Sequence, residues 1–389
     1  MQVRKRDFLK LAGLSLAGIS AVPACRNSTD KIYFDPFLER NTLEVKTFTG
    51  NYFEIGRQQG EIYRQNGMNC DLVKIDPTIY KRQLQIYEKH YPQMLEELRG
   101  VAEGGNYQLD NVIWWFICGA ESCLKEKAAP PKACSIFGVK NQGRLYVGRN
   151  YDLFPMTENL FEVYKVVNPQ CNSYIAVSDM GSYRFLEANP KCLFYYPADA
   201  INRQGLFVGP TYAFGDQCSY GLAVIHMMKL ITETCATVHE ALAVFEKVPL
   251  NWPKNFFIAD KNGDMAVVEH TSRRFKVLYP QDDILLQTNH YLDPELKKDD
   301  QIYNNTITNT LMRYNTLERY DEIYQKLKAG KEHFGFEDII EILGKPGTHA
   351  CQNWILIKTI WTLALDMTNQ QYRIYWDLLS KRKNQELKI

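Results

Sequence analysis

The sequence predicts an α+β fold built in layers. Strand-like alternation and helix-like spacing are interleaved along the chain without the strict strand–helix–strand repeat of a parallel sheet. Of the 389 residues, 45% are hydrophobic and 23% charged, the composition of an ordinary globular chain. A third observation is the change of character at Cys134: the stretch before it reads as largely helical, the stretch after it as largely strands.

The first 25 residues stand apart. Arg4, Lys5 and Arg6 precede an apolar, small-residue stretch from Leu11 to Ala24, which ends Val22-Pro23-Ala24-Cys25. A basic start, an apolar middle too short to span a bilayer and small residues before a cleavage point read as an export signal over residues 1–24. The end of that signal resembles a bacterial lipobox, in which Cys25 would carry the lipid. Lys5-Arg6-Asp7-Phe8-Leu9-Lys10 also resembles a twin-arginine signal, with lysine in the place of the first arginine. The expected mature protein is an exported lipoprotein, periplasmic or at the cell surface, that meets the membrane only through this anchor. Without residues 1–24, which hold four basic residues and one acidic, the formal charge falls from +1 to −2. A nearly neutral chain offers no electrostatic footprint for nucleic acid, and the short basic run Lys381-Arg382-Lys383 reads as a solvated end.

Residues 25–44 are polar and irregular and read as a tether. From Asn51 to about Glu103 the spacing is helical, and Gly104-Gly105 ends it. Asn111 to Cys118 is very apolar and reads as helix or strand. The charged, proline-rich loop from Lys125 to Ala133 then delivers the chain to Cys134. Ser135–Val139 and Leu145–Val147 read as strands joined at Asn141-Gln142-Gly143, a hairpin signal. Further strands are expected at Phe161–Val167, Ser173–Val177, Gly205–Gly209, Phe256–Ala259, Met265–Glu269, Leu285–Thr288, Thr359–Asp366 and Tyr372–Asp377. The clearest helices of this half are Thr237–Phe245 and Leu311–Leu327. Ten cysteines occur and no pair has C-x-x-C spacing, so zinc is not expected. Export would permit disulfides, but several cysteines, such as Cys118, read as small buried hydrophobes.

The hairpin gives a geometric argument. With a turn centred on Asn141–Gly143, paired positions sum to roughly 283–286, depending on the loop type. Cys134 then lies opposite residues 149 to 152, so Arg149 or Asp152 approaches it directly or on the diagonal. A cationic neighbour raises the thiolate fraction of a cysteine, as a nucleophile requires. On the hairpin alone, a packed inert cysteine beside a surface Arg–Asp pair is favoured over a nucleophile, since most cysteines are inert packing residues.

Four blocks in order resemble a known family. Ala133-Cys134-Ser-Ile-Phe-Gly followed by Gly148-Arg149-Asn150-Tyr151-Asp152 is similar to the start of the catalytic chain in the linear-amide hydrolases. These N-terminal-nucleophile enzymes include the choloylglycine hydrolases and the acyl-CoA:6-aminopenicillanic acid acyltransferases. Gln287-Thr288-Asn289-His290-Tyr291 resembles the family's T-N-H segment, and Thr359 to Asp366 its late T-x-W-S strand pair. Gly50 to Gly60 resembles the prosegment of the acyltransferase branch. The resemblance implies a four-layer αββα sandwich over residues 134–389, with a helical prosegment over 45–133 that becomes a separate chain after self-cleavage of the Ala133–Cys134 bond. It implies Cys134 as nucleophile with its freed α-amine as base, which accounts for the absence of a histidine triad. Asp152 would hold that amine, Arg149 would support thiolate and substrate, and Asn289 would donate to the oxyanion. Arg313 would line the site.

One departure concerns the strand Gly205 to Tyr212. The choloylglycine hydrolases carry an asparagine after such a strand, and this chain offers Thr211 or Tyr212, or a backbone donor there. His290 stands beside Asn289 as catalytic or structural; His226, in an apolar strand-like run, and Glu269 read as structural. The expected substrate is a small N-acyl amide, cut without metal or organic cofactor, by a monomer or an oligomer. Transfer of the acyl group to an amine is the alternative, and a ligand-binding lipoprotein that merely keeps the fold is another. Loss of Cys134, Asp152 or Asn289 would mark that last case, and all three are present.

Overall fold

The computed structural model describes residues 40–68, 75–118, 133–153, 155–179, 195–213, 215, 218–300, 307–353, 357–378 and 382–389. The expected export signal, Cys25 and the proline-rich loop as far as Lys132 lie outside the described residues.

Val45–Thr49 forms β1, and four helices follow: α1 (Tyr52–Gln65), α2 (Pro77–His90), α3 (Pro92–Gly105) and α4 (Leu109–Ile117). Asn51 starts α1 as a capping box, accepting the Glu54 N–H at 2.9 Å while Glu54 Oε2 accepts the Asn51 N–H at 2.8 Å. Asp76 caps α2 just before Pro77, whose fixed φ suits a first helical position. The run left open between helix and strand is α4. α1 and α3 cross backbone to backbone: a Cβ on Gly56 would stand 1.9 Å from the Glu97 carbonyl oxygen, and one on Gly100 2.0 Å from that of Phe53. Glycine at these positions is what permits so close an approach.

The remaining strands are β2 (Ala133–Asn141), β3 (Arg144–Leu153), β4 (Phe161–Val167), β5 (Tyr174–Asp179), β6 (Asp199–Asn202), β7 (Leu206–Tyr212), β8 (Lys254–Asp260), β9 (Met265–His270), β10 (Phe275–Leu278), β11 (Ile284–Gln287), β12 (Lys358–Asp366), β13 (Gln371–Trp376) and β14 (Lys383–Glu386). Helices α5 (Val224–Thr234) and α6 (Val238–Lys247) precede β8, and α7 (Ile307–Gly330) and α8 (Asp338–Leu343) precede β12. The strands make an eight-stranded sheet, β1-β4-β5-β6-β7-β8-β9-β10, and a six-stranded sheet, β11-β2-β3-β12-β13-β14. Among the described strands every pairing is antiparallel except β1 with β4.

The facing sides of the sheets share one apolar core, with Ile136, Val147 and Leu363 against Val163, Val177, Phe207 and Phe257. Helices α1 to α6 cover the outer face of the larger sheet. The outer face of the smaller one, through Phe137, Val139 and Tyr146, packs on Ile323 and Leu327 of α7 and Ile339 and Leu343 of α8. This is the four-layer αββα sandwich. The strands at the middle of each sheet bury both faces between layers, whereas β1, β10 and β14 at the edges stay partly exposed.

Four details differ from the sequence expectation. The segment before Cys134 is not purely helical, since β1 joins the larger sheet as its parallel edge. His226 lies on a helix, α5, where an apolar run suggested a strand; a helix buried on most sides carries no clear period. The end of the tether is bound down: Leu43 N–H donates to Gln385 Oε1 at 3.0 Å, Gln385 Nε2 donates back to the Leu43 carbonyl at 3.0 Å, and Trp376 Nε1 holds the Arg40 carbonyl at 2.9 Å. The basic tail is likewise engaged, with Lys383 opening β14 and donating to the Arg40 carbonyl at 3.0 Å. Among the described residues, no helix is long and apolar enough to cross a membrane.

Candidate active site

The β2–β3 hairpin turns through Gln142 and Gly143, both left-handed with φ of 48° and 76°, the backbone twist that matches paired strands. Paired positions sum to 285: Cys134 faces Tyr151, Ala133 faces Asp152, and Ile136 faces Arg149. Alternation along the strands then settles what the sequence left open. Cys134, Arg149 and Tyr151 share the side that faces the other sheet, whereas Ser135, Asn150 and Asp152 point toward the layer of α7 and α8.

On the inner side, Arg149 is fully buried and reaches across to the larger sheet, where Nε donates to Asp199 Oδ1 at 2.8 Å and Nη2 to the Pro210 carbonyl at 3.2 Å. Trp361 Nε1 donates to the second Asp199 oxygen at 2.8 Å. Cys134 shares this side two residues from Ile136, the cross-strand partner of Arg149, and its sulfur bears electrostatically on the guanidinium. Burial works against the charge on Arg149, but Asp199 and the Cys134 sulfur more than offset it and hold the cation above its ordinary value. The Tyr151 ring stacks on Trp361 at 3.9 Å between centroids, and the guanidinium carbon sits 4.9 Å from the same ring. The thiol is thus enclosed by a cation and flat aromatic walls, and Cys134 is only 3% exposed.

At the strand edge, β11 pairs with β2 as far as Gln287 with Ile136 and stops. Two residues on, the Asn289 side chain takes the place of a strand. Its Oδ1 accepts the Cys134 backbone N–H at 2.7 Å and Arg319 Nη2 at 2.6 Å, while Nδ2 donates to the Tyr212 carbonyl at 3.0 Å. Two donors converging on one oxygen fix which way the amide faces. With the Ala133–Cys134 bond intact, the carbonyl of Asn289, rather than the amide expected as an oxyanion donor, therefore faces Cys134.

On the outer side, Asp152 Oδ1 accepts the Thr359 hydroxyl at 2.7 Å, and Oδ2 is buried without a partner among the described residues. Burial pushes this carboxyl up to about 6, against the opposing pull of Arg319, Thr359 and Arg149. Arg319, on α7, donates to the Cys134 carbonyl at 2.5 Å and to Ser135 Oγ at 2.9 Å. The bond before Cys134 is accordingly held by Asn289 at its N–H, with Arg319 on the following carbonyl and a half-satisfied carboxylate opposite Ala133.

The other sequence candidates divide. Thr211 is fully buried, but its hydroxyl donates to the Thr288 carbonyl at 2.5 Å and accepts from Asn255 Nδ2 at 3.2 Å. Its one proton is committed, so it holds the Asn289 segment instead of offering an oxyanion donor. Tyr212 contributes its carbonyl, to Asn289, and its ring lies 4.9 Å from the Lys254 ammonium. Arg313 is on α7, its side chain outside the described residues; the guanidinium that reaches the site is that of Arg319. His290 is buried with Thr288 and Thr316 hydroxyls each 3.1 Å from Nδ1, and burial lowers it to about 3, so it is neutral and structural. His226 is lowered likewise to about 3, with Nδ1 2.6 Å from the Tyr87 hydroxyl. Glu269 accepts the Leu292 and Asp293 N–H groups at 2.6 and 2.9 Å and so pins the loop after Asn289, burial raising it to about 7. Among the described residues no group of three His, Cys, Asp or Glu side chains is placed to hold a metal.

Arg319 and Asp199 are the residues that sequence reasoning missed. Asn315, Thr316 and Arg319 share one face of a helix by their spacing, which was a readable signal. An aspartate within a short apolar strand was the only hint of Asp199.

Sandwich and hairpin together define an N-terminal-nucleophile fold. The chain belongs to the acyl-coenzyme A:6-aminopenicillanic acid acyl-transferase family, whose model matches residues 139–380. That span takes in Arg149, Asp152, Asn289 and Arg319 and begins just after Cys134. The chain is thus a member of an enzyme family named for acyl transfer. Among solved structures, a mutant of conjugated bile acid hydrolase from Clostridium perfringens is similar at 12% identity, over 66% of this chain and 92% of that one, with a TM-score of 0.44. The Caenorhabditis elegans ortholog of N-acylethanolamine-hydrolyzing acid amidase shows 16% identity over 66% of this chain and 100% of that one, TM-score 0.42. Penicillin V acylase from Agrobacterium tumefaciens shows 18% over 63% and 83%, TM-score 0.42. No curated protein sequence matches the chain.

Proposed function

We propose that this protein is a self-processing cysteine amidase that cuts the amide of a small N-acylated molecule through an acyl-Cys134 intermediate. The observation that supports it most is the 2.7 Å bond from the Cys134 N–H to Asn289. The nitrogen that must become a free amine is already gripped, beside a buried thiol and an unpartnered Asp152 oxygen.

In processing, the Cys134 thiol adds to the Ala133 carbonyl and the C–N bond breaks, its proton passing to the departing nitrogen. Water then cleaves the resulting thioester, leaving a carboxylate on Ala133 and a free α-amine and thiol on Cys134. An α-amine titrates near ~8, which suits a base at neutral pH. In turnover this amine takes the thiol proton, and the sulfur attacks the substrate carbonyl. The amine then protonates the leaving nitrogen, and water releases the acyl group. Asp152 Oδ2 holds the amine when it is charged, Arg149 steadies the thiolate, and Arg319 with Asn289 keeps the amine and the site backbone in place.

Family membership favours a second outcome of the same intermediate, in which an amine rather than water takes the acyl group. Residues 1–24 as an export signal, and a lipid on Cys25, are part of the same proposal. Purified protein should appear by mass spectrometry as two chains meeting at Ala133 and Cys134, with lipid on Cys25. A panel of N-acyl amino acids, bile salt conjugates and β-lactam amides, with and without added amine, identifies the acyl donor and acceptor. An active preparation consisting only of intact polypeptide would overturn the proposal.

A further inference from the structure

A line of hydrogen bonds joins the two charged groups on the outer side of the Ala133–Cys134 bond. Arg319 Nε donates to Asn315 Oδ1 at 2.7 Å, and Asn315 Nδ2 donates to Gln352 Oε1 at 3.0 Å. The Gln352 backbone N–H donates to Thr359 Oγ1 at 2.9 Å, and that hydroxyl donates to Asp152 Oδ1 at 2.7 Å. Gln352 is fully buried, its Nε2 bonded to the His349 carbonyl and its own carbonyl accepting the Thr359 N–H at 3.0 Å. Every polar atom of this residue has a fixed partner, so it cannot turn without moving the others.

We infer that Gln352 is a positioning residue of this active site, orienting Arg319 through Asn315 with its side chain and Asp152 through Thr359 with its backbone. The inference rests on the cysteine-nucleophile reading above. Direction matters in the line. Because Thr359 Oγ1 accepts the Gln352 N–H, its single proton goes to Asp152. Oδ1 is thereby kept as an acceptor, and Oδ2 is left as the oxygen that meets the amine of a freed Cys134. At the other end, the Asn315 carbonyl holds one edge of the Arg319 guanidinium, which aims its two terminal nitrogens at Cys134 and Asn289. A planar fork held on one edge is pre-organised for contacts on the others. Gln352 thus sets the spacing of Arg319, which touches the carbonyl end of Cys134, and Asp152, which stands opposite Ala133, although it touches neither the thiol nor the scissile bond.

The test uses the full chain and its own Ala133–Cys134 bond as substrate. Gln352→Met keeps the backbone donor and the volume but removes the acceptor for Asn315; Gln352→Glu keeps that acceptor and, protonated in this buried place, a donor for the His349 carbonyl. Gln352→Met should slow self-cleavage by about tenfold to a hundredfold, the effect of a small misplacement of reacting groups, and Gln352→Glu should recover most of the rate. Asn315→Ala, a change at a half-buried helix position, should slow it similarly and carries the comparison if Gln352→Met fails to fold. Thr359→Val should move the acid limb of the rate profile to higher pH, since it removes a bond that favours ionised Asp152. Native-rate cleavage by Gln352→Met, or equal slowing by Met and Glu that merely tracks a lower melting temperature, overturns the inference. Cys134→Ala separates the two layers of argument. If that chain is also cut, the cysteine reading fails; if it stays whole while Gln352→Met is cut normally, only the role of Gln352 falls.

Discussion

Arg149 and Asp199 form a fully buried ion pair, Nε to Oδ1 at 2.8 Å, that ties the two sheets together directly behind the Cys134 thiol. Removing one partner of such a pair leaves a bare charge in the core, which costs about 3–5 kcal/mol. Asp199→Ala should therefore lower unfolding free energy by that order, while Asp199→Asn, which keeps the shape and the Trp361 contact, should cost less. Denaturant unfolding of both variants in a Cys134→Ala background measures this without interference from cleavage. Equal losses for Ala and Asn would mean that the lost charge, and neither the shape nor the Trp361 contact, accounts for the whole effect.

The raised carboxyl of Asp152 makes a prediction with a definite sign. Its folded value of about 6 lies above the unfolded value of a free aspartate, roughly 3.9. The protonated form is thus favoured by folding: its advantage is complete below the unfolded value and lost as pH rises through about 6. At neutral pH, ionised Asp152 burdens the intact chain by about 3 kcal/mol, since a tenfold change in proton affinity is worth ~1.4 kcal/mol. In the Cys134→Ala background, Asp152→Asn should stabilise the protein at pH values well above 6 and change it little below the unfolded value. A stability difference that does not grow with pH would remove this explanation. Self-cleavage and turnover, which need the charged form, should fall on the acid side.

The hairpin register was legible because a Gln-Gly turn, once it closes, fixes the pairing of every residue along both strands. Residue order alone therefore placed Arg149 and Asp152 near Cys134. What it could not show was sides: one residue of register decides whether a side chain faces the inner core or the helices. Asp199 was hidden for a different reason, since contact between two stacked sheets leaves no short-range pattern. Arg313 drew attention through its local likeness, but a helix turns about 100° per residue, so six residues separate it from the Arg319 face by about a third of a turn. The edge strand β1 escaped notice because it is short and half-exposed, with only Phe48 buried.

The crossing of α1 and α3 gives a test of the prosegment that does not involve the chemistry. Gly56→Ala or Gly100→Ala drives a methyl into a carbonyl oxygen 1.9 or 2.0 Å away, and the helices must part. Overpacking of this kind costs typically ~1–3 kcal/mol, occasionally more. Gly330, at the end of α7 with nothing within 4 Å of its would-be Cβ, is the control: alanine there should be neutral or stabilise by up to ~1 kcal/mol. Thermal melts of the three variants should rank Gly330→Ala at or above the parent and the other two clearly below it.

Arg319 supplies the sharpest functional contrast, because three of its contacts need a planar fork. One nitrogen serves the Cys134 carbonyl and Ser135 Oγ, and the other serves Asn289 Oδ1. Lysine can keep the charge but presents a single point of donation. If the charge alone matters, Arg319→Lys should process and turn over nearly as the parent does. The geometry instead predicts that Arg319→Lys loses most of what Arg319→Ala loses, because Asn289 Oδ1 would be freed to swing away from the Cys134 nitrogen. Misplacing a reacting group by about 1 Å can cost ~10²-fold in rate, and a loss of that order is expected for Asn289→Ala, which frees the Cys134 nitrogen. The double variant Arg319→Lys with Asn289→Ala should then lose little more than Asn289→Ala alone, since both act on the same nitrogen. Rates of self-cleavage for the three chains decide it, and fully additive losses would show that Arg319 acts elsewhere.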